Sequence, residues 1–550
     1  MSIQNRLLIA LAILLTSFSS FAQITPTNYF EVSKNLEIFA EVYRQIDGVY
    51  VEETAPGNLM NTAISSLLNS LDPYTVYYPE SRIEDAMYLQ TGKYGGVGAR
   101  VDLVHGRNTV LEVFQGFAAY KAGLRAGDII TQINGKNVDG ISLDNIEDGL
   151  TGAPGTNVTL SVIKLGSTSP ITLNVTRESI KTADVPHAQL LANNMGYIKL
   201  DEFTQTASEE VKTNFLKLKD QGMTFFILDL RGNGGGLLRE AINIVNFFVP
   251  KGTEITRTIG KQESWKQVYT ATNEPLDINI PIVVLIDEGS ASASEIVSGS
   301  LQDLDRAVII GTKSYGKGLV QQTVDLAYNT KMKVTVAKYY TPSGRCIQKL
   351  DYGNKVNGKA QQFDESQIKT FKTKNGRTVV DASGVHPDVE MTKNLSRDFI
   401  NSLNRNYAFF QFGIQYKKSH PSIDSTGHFA LTQEDYNAFV KLVSDSAEVI
   451  FPTWFSDIKN LEKTINGSNE DAELTKQINS LKSAVKSHVA KDLMENQQDL
   501  KPMIEMKLVE MYFFRSAALK QLIQNDPWIS QANQVFTSNY SAILAPQDKK

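Results

Sequence analysis

DEGSASASEIVSGSLQDLDRAVIIGTKSYGKGLVQQ, residues 287–322, sets a serine-rich corner and a glycine-framed lysine on either side of an apolar run. It follows the apolar run Ile282–Ile286, which reads as a buried strand, and the small residues from Gly289 open a helix predicted over Glu295–Leu304. A second apolar run, Ala307–Ile310, leads into a lysine framed by glycines, Gly316-Lys317-Gly318. A serine at a strand-to-helix corner followed by such a lysine suggests Ser/Lys hydrolytic chemistry. A serine hydroxyl attacks only when a base takes its proton, and a lysine serves as that base when burial or nearby positive charge lowers its pKa. A helix N-terminus beside the serine adds backbone N–H groups able to hold an oxyanion. The pattern alone leaves a plainer alternative open: Ser292 with Glu295 three residues on is a capping box, Ser290 and Ser294 also suit caps or turns, and Lys317 suits a solvated loop.

The three motifs GSASASE, the Gln302-Asp303 helix end and SYGKGLVQQ together resemble the C-terminal processing peptidases, also called carboxy-terminal or tail-specific proteases, of serine peptidase family S41. The resemblance implies that Ser292 is the nucleophile, Lys317 its base and Gln321 the residue that orients the lysine. Gln321 lies four residues after Lys317, on the same side of either a strand or a helix. It also implies a multidomain α/β protein: an α/β peptidase core of the ClpP/crotonase-like type with an inserted PDZ domain, a helical N-terminal region and a helical C-terminal extension. No cofactor is implied.

Working outward, the domain containing the motif is expected over 179–392. Met195–Leu200 and Thr224–Leu230 read as strands and Ser208–Lys219 as a helix, and this alternation means an α/β core. The loop Arg231-Gly-Asn-Gly-Gly-Gly236 and a helix over Leu237–Phe248 follow. Its spacing departs from G-x-G-x-x-G and no GK[ST] follows, which argues against a nucleotide site. In the peptidases that DLRGNGGG resembles, this loop donates an N–H to the oxyanion hole opposite the residue after the nucleophile; here those are Gly235 or Gly236, and Ala293. A strand over Lys331–Tyr339 and a turn at Thr341–Arg345 come next. KTKNGRTVVDASGVHPD (372–388) resembles the family too, with Ala382-Ser383 where a glycine pair is usual.

Upstream, 91–178 changes to short β-runs with glycine turns, and AYKAGLRAGDIITQINGKNV (119–138) ends in the hairpin signal Asn134-Gly135. This closely resembles a PDZ domain. Such domains add an extended peptide to a sheet edge and capture its C-terminal carboxylate on successive loop N–H groups. The resemblance places that loop at Gly96-Val97-Gly98-Ala99, with Ile146 and Leu150 as candidate contacts for the last side chain; core packing explains those two equally well. The region 23–90 is helical, with Phe30, Leu36, Phe39, Val42, Tyr43 and Ile46 at three- and four-residue steps, and Leu71-Asp-Pro-Tyr-Thr75 breaks the pattern. A packing or dimerisation role is favoured there over a direct chemical one.

Residues 1–22 read as a signal peptide: Arg6, an apolar run Leu7–Leu15, and Ser20-Phe21-Ala22 as a cleavage site. No cysteine follows the run, which argues against a lipoprotein anchor, so a periplasmic or otherwise exported location is expected. The sole cysteine, Cys346, excludes intramolecular disulfides, and the net charge of −5 over 550 residues favours no nucleic-acid partner. The six histidines, at 105, 187, 386, 420, 428 and 488, show no ligand spacing, so no metal is expected; a Ser-His-Asp arrangement through His386 stays open. Residues 393–550 form a helical, charge-mixed region suited to packing, dimerisation or gating of the cleft. The expected partners are proteins or peptides with apolar C-termini, with a homo-oligomer (dimer), a regulating adaptor and peripheral membrane association as further expectations. The expected function is exported serine endopeptidase activity near substrate C-termini. The competing expectation is a catalytically inactive PDZ-containing scaffold or chaperone.

Overall fold

A computed structural model describes residues 29–83, 88, 91–392, 395–424, 429–466 and 472–546; the expected signal peptide at 1–22 and His428 lie outside them. Contacts divide the chain into two units, one ending at Leu71 and one beginning at Asp72. The first contains helices Tyr29–Val49 and Pro56–Asn69, tied where the Tyr43 hydroxyl donates to the Pro56 carbonyl at 2.7 Å. Pro56 begins its helix, where the missing N–H costs nothing and the fixed φ suits the first turn. The first helix buries no residue.

In the second unit, a sheet runs in the order His187–Leu190, Met195–Lys199, Phe225–Asp229, Ile282–Ile286, Val308–Gly311, Val389–Glu390, and every pairing after the first is parallel. The inner strands are apolar along most of their length because both faces are covered, with the charged Lys199 and Asp229 confined to strand ends. Ile198, Phe226, Leu228, Ile282, Val284 and Ile286 face one core with helices Ala207–Asp220, Leu238–Asn246 and Ala293–Asp303. Tyr197, Ile227, Val283, Leu285, Val308 and Ile310 face the other way, against Ile523, Trp528, Ile529, Ala532, Val535 and Phe536. The last helices of the chain therefore cover the second face of this sheet.

The attachment is specific. Asp526 caps the helix Pro527–Gln534 through the Trp528 N–H at 2.8 Å, pairs with Arg231 at 2.6 Å, and the Arg231 guanidinium lies 5.0 Å from the Trp528 ring centroid. Trp528 also lies over Gly311, where a Cβ would fall 2.8 Å from the indole. Trp528→Ala removes a large buried side chain that its rigid neighbours cannot replace. We expect a loss of about 3–5 kcal/mol, read as an earlier denaturant transition of the core.

A second sheet hangs on the long strand Lys331–Tyr340, which pairs with Val76–Tyr78, Leu319–Asp325 and Glu254–Gly260. This places residues from the LDPYT segment beside the lysine motif. At the far end of the site helix, fully buried Arg345 binds Gln302 at 2.7 Å and Asp303 at 2.9 Å, so the Thr341–Arg345 turn anchors to that helix. Ala382 adopts φ 54°, a conformation that glycine takes without strain, which gives the family's usual glycine at this loop a physical reason.

The inserted domain is closed where the chain enters and leaves it, by Lys93–Gly96 pairing with Glu178–Lys181. Its sheet runs Ala99–Val104, Arg107–Val113, Ile129–Ile133, Asn157–Ile163, Pro170–Thr176. Asn134 and Gly135 take φ 51° and 77° and turn Ile129–Ile133 into Lys136–Asn137, as the Asn-Gly signal requires. Ala99–Val104 stands at the end of the sheet order, with the helix Leu143–Leu150 packed against it. Ile146 and Leu150 belong to the domain core, 0% and 4% exposed. Helices from Arg397–Arg405 to Gln497–Gln524 form a separate core through Phe399, Phe409, Phe439, Phe455 and Leu508, and meet the inserted domain where Phe410 and Met511 pack on Val104 and Leu111. No described helix is long and apolar enough to cross a membrane.

Candidate active site

The strand Ile282–Ile286 delivers the chain to Asp287, whose carboxylate accepts N–H bonds from Gly289 at 3.0 Å and from Gly232 of the glycine loop at 2.8 Å. The turn that follows distinguishes the three serines. Ser290 is fully buried and its hydroxyl donates to the Leu230 carbonyl at 2.8 Å; Ser294, also fully buried, donates to the Asn233 carbonyl at 2.9 Å. Both hydroxyls hold the corner against the glycine loop. Ser292 is half-buried and sits at φ 54°, ψ −111°, outside the regions that L-residues favour. Such strain persists only where the surroundings over-determine it, and a strand-to-helix corner that presents a serine is a recurrent place for it.

Glu295 supplies much of that constraint. Its fully buried carboxylate accepts from the N–H of Ser292 at 2.8 Å and of Lys317 at 2.9 Å on one oxygen, and from the Ser314 hydroxyl at 2.6 Å and the Gly316 N–H at 2.7 Å on the other. Burial raises its pKa while these donors pull it down. One carboxylate thus fastens the serine corner to the lysine loop. Local sequence marks Glu295 only as the end of a capping box, because its lysine-loop partners lie too far along the chain for any local signal.

The lysine loop is held on its other sides as well. Ser314 accepts from the Val385 N–H at 2.7 Å, Tyr315 donates its N–H to the Ser290 carbonyl at 3.0 Å, and Gly316 accepts from the Lys349 N–H at 2.9 Å. Burial, then the charge of Lys333, pushes Lys317 down to about 8, against the opposing carboxylates of Glu295 and Asp72. The amine therefore titrates near neutrality. Its nitrogen lies 4.4 Å from the ring centroid of Tyr74, a residue that sequence reading assigned to a packing segment. The Leu-Asp-Pro-Tyr-Thr phrase was the available signal, but it carried no information about its partner. Gln321 lies on the adjacent strand, its amide donating to the Thr335 hydroxyl at 3.3 Å.

Across the corner, Gly235 takes φ 101° and approaches so closely that a Cβ there would fall 2.8 Å from Ser292 Cβ and 2.9 Å from the Ala293 nitrogen. The Gly235 N–H donates to the Asn233 side chain at 2.8 Å. Gly236 bridges Phe203 with its neighbours' groups, leaving its own N–H and that of Ala293 without an acceptor among the described residues. His386 is engaged elsewhere: its Nε2 shares a 2.8 Å hydrogen bond with Ser383, and burial, then Lys313 and Arg345, push it down to about 4. Among the described residues no group of three or more His, Cys, Asp or Glu side chains is arranged to hold a metal ion.

A serine at a strained strand-to-helix corner, fastened through one carboxylate to the loop of a half-buried amine, is an arrangement suited to hydrolysis. Models of known families match in the same places: Peptidase family S41 over residues 194–357, a PDZ domain over 109–164, and the C-terminal helical domain of probable PDZ-proteases over 399–536. The chain is 36% identical over 329 residues to the carboxy-terminal-processing protease of Bartonella bacilliformis, covering 59% of this chain and 75% of that one. It is 32% identical over 340 residues to the carboxy-terminal processing protease CtpA of Bacillus subtilis, covering 60% and 72%. Among solved structures it is similar to a photosystem II D1 C-terminal processing protease, 27% identical, covering 64% of this chain and 92% of that one with a TM-score of 0.36. The chain belongs to the carboxy-terminal processing proteases of family S41, and it binds peptide substrates through a PDZ domain.

Proposed function

We propose that this protease cleaves exported polypeptides near an apolar C-terminus by a Ser292–Lys317 dyad. The observation that carries the proposal is the Glu295 carboxylate, which holds the backbones of both residues at once, next to an amine that titrates at about 8. The Ser292 hydroxyl attacks the peptide carbonyl as Lys317 takes its proton, and Lys317 then returns that proton to the leaving amine. The N–H groups of Ala293 and Gly236 receive the oxyanion; Gly235 serves by letting the loop approach, since its own N–H is committed to Asn233. Gln321, held on Thr335, keeps its carbonyl oxygen available to the lysine. Water then hydrolyses the acyl-enzyme with the same lysine as base.

Substrate enters by its end. The strand Ala99–Val104 at the sheet edge accepts an extended peptide, and the Gly96–Ala99 loop takes the carboxylate. Ile146 and Leu150 act from beneath, fixing the helix that walls the groove. The apolar run Leu7–Leu15 after Arg6 supports export, and the exposed apolar side chains of the helix Tyr29–Val49 support self-association in a dimer.

The test is a cleavage assay on an unstructured polypeptide ending in apolar residues, offered as free acid and as C-terminal amide. The free acid is cleaved upstream of its end and the amide about tenfold more slowly, as expected for the loss of a charge-assisted carboxylate contact worth about 1.5 kcal/mol. Equal rates overturn carboxylate capture. Binding without cleavage of either form overturns the enzyme reading in favour of a scaffold.

A further inference from the structure

Tyr74 sets its ring 4.4 Å from the amine of the proposed base, and its placement is built rather than incidental. The Asp72 carboxylate, 7% exposed, accepts from the N–H groups of Tyr74 and Thr75, each at 2.8 Å, and from the Thr75 hydroxyl at 3.1 Å. The turn runs directly into the strand Val76–Tyr78, registered against Lys333, Met332 and Lys331. Thr75 accepts from the Thr335 N–H at 3.2 Å, on the residue whose hydroxyl receives Gln321. Tyr74 has neighbours at its far end too: its ring meets Tyr352 edge-on, centroids 6.2 Å apart, and the Tyr315 and Tyr352 hydroxyls lie close to its own. Burial, then those two hydroxyls, keeps the phenol protonated.

From this geometry we infer that Tyr74 is a positioning residue for proton transfer, an aromatic lid that holds the Lys317 amine and keeps water from it. The inference rests on Lys317 being the base. A ring face acts on a lysine in two opposing ways. Cation–π attraction favours the ammonium, whereas exclusion of water disfavours it. The groups facing this amine are Glu295 from the site helix, Asp72 and Tyr74 from the turn, and Lys333 from the long strand, with Tyr315 and Tyr352 behind the ring. The 4.4 Å contact puts the ring over the amine as part of its cover, and burial leads the causes of its lowered pKa, so the lid acts in the resting site chiefly by excluding water. Once Lys317 has taken the serine proton, the same ring face lies against the new ammonium. The lid therefore keeps the base neutral before attack and steadies its charge afterwards.

The experiment measures the amine directly. In full-length protein carrying Ser292→Ala, the reactivity of Lys317 toward acetic anhydride is followed against pH by peptide mapping, with Tyr74 intact or changed to Phe, Leu or Ala. Tyr74→Phe keeps the ring and leaves the titration in place. Tyr74→Ala admits water and moves it upward by about one pH unit, part of the burial effect. Tyr74→Leu keeps the cover but loses the π face and moves it downward, and this arm decides the matter if the alanine protein does not fold. Alanine and leucine curves that both coincide with the parent, or that move together, overturn the inference. The same substitutions in protein with Ser292 intact separate the two proposals. If the amine titration moves as described while the acid limb of kcat/KM stays put, the lid stands and Lys317 is not the base.

Discussion

Lys317→Ala is expected to reduce kcat/KM by about 10⁴-fold or more while leaving the protein folded, because the half-buried amine supports the reaction more than the packing. Without a base, the Ser292 hydroxyl keeps its proton, and only the oxyanion donors and substrate binding remain to lower the barrier. Ser292→Ala should lose as much, and the double substitution no more than either, since the two groups act as a unit. The pH profile carries the same information. Lys317 is inactive when protonated, so activity rises with pH, and at about 8 its neutral fraction reaches half. At pH 6 only about 1% of the enzyme is competent, from a one-site titration, and the acid limb of kcat/KM should have unit slope. Retention of more than about a hundredth of the wild-type rate by Lys317→Ala, a smaller loss than removal of a general base demands, defeats the dyad.

Glu295→Ala has the second largest expected effect, and it falls on stability and catalysis together. It strips the acceptor from four donors at once, the N–H groups of Ser292, Gly316 and Lys317 and the Ser314 hydroxyl. Each buried donor left unpaired costs about 1–3 kcal/mol, although water entering the vacated space recovers part of it, so a net loss of about 3–5 kcal/mol is expected. The catalytic loss should exceed about 10³-fold, because an ångström of drift between nucleophile and base already removes about two orders of magnitude. Glu295→Gln should fall between, as an amide presents an acceptor to one pair of donors and its own N–H groups to the other. Hydrogen exchange across 312–318 locates the effect: the lysine loop should lose protection in Glu295→Ala while the strand Ile282–Ile286 keeps it. Full activity in either variant removes Glu295 as the clasp.

Much of this architecture is legible locally. The apolar strand Ile282–Ile286, the helix after the serines and the Asn134-Gly135 hairpin follow from periodicity and turn chemistry within a few residues. Helix bounds moved by a residue or two, since the ends depend on capping rather than on the repeat. What distinguishes the three serines is not local: carbonyls of Leu230 and Asn233, about sixty positions earlier in the chain, accept from Ser290 and Ser294. The two glycines of the loop differ in the same way, one N–H taken by Asn233 and the other left over.

The family, the α/β layer with its inserted PDZ domain and the short motifs of the candidate site are all legible in the amino-acid sequence. Each is written in the period and spacing of neighbouring residues, which backbone sterics and hydrophobic pattern translate directly. Only the tertiary structure decided which groups meet: Glu295 across serine and lysine loops, Tyr74 against an amine far along the chain, and the terminal Trp528 helix against the sheet's second face. Runs such as Phe225–Asp229 announced that both faces need cover, but not which segment supplies it. Those pairings form only when loops of hundreds of residues close, and their energies reside in contacts that no local pattern encodes.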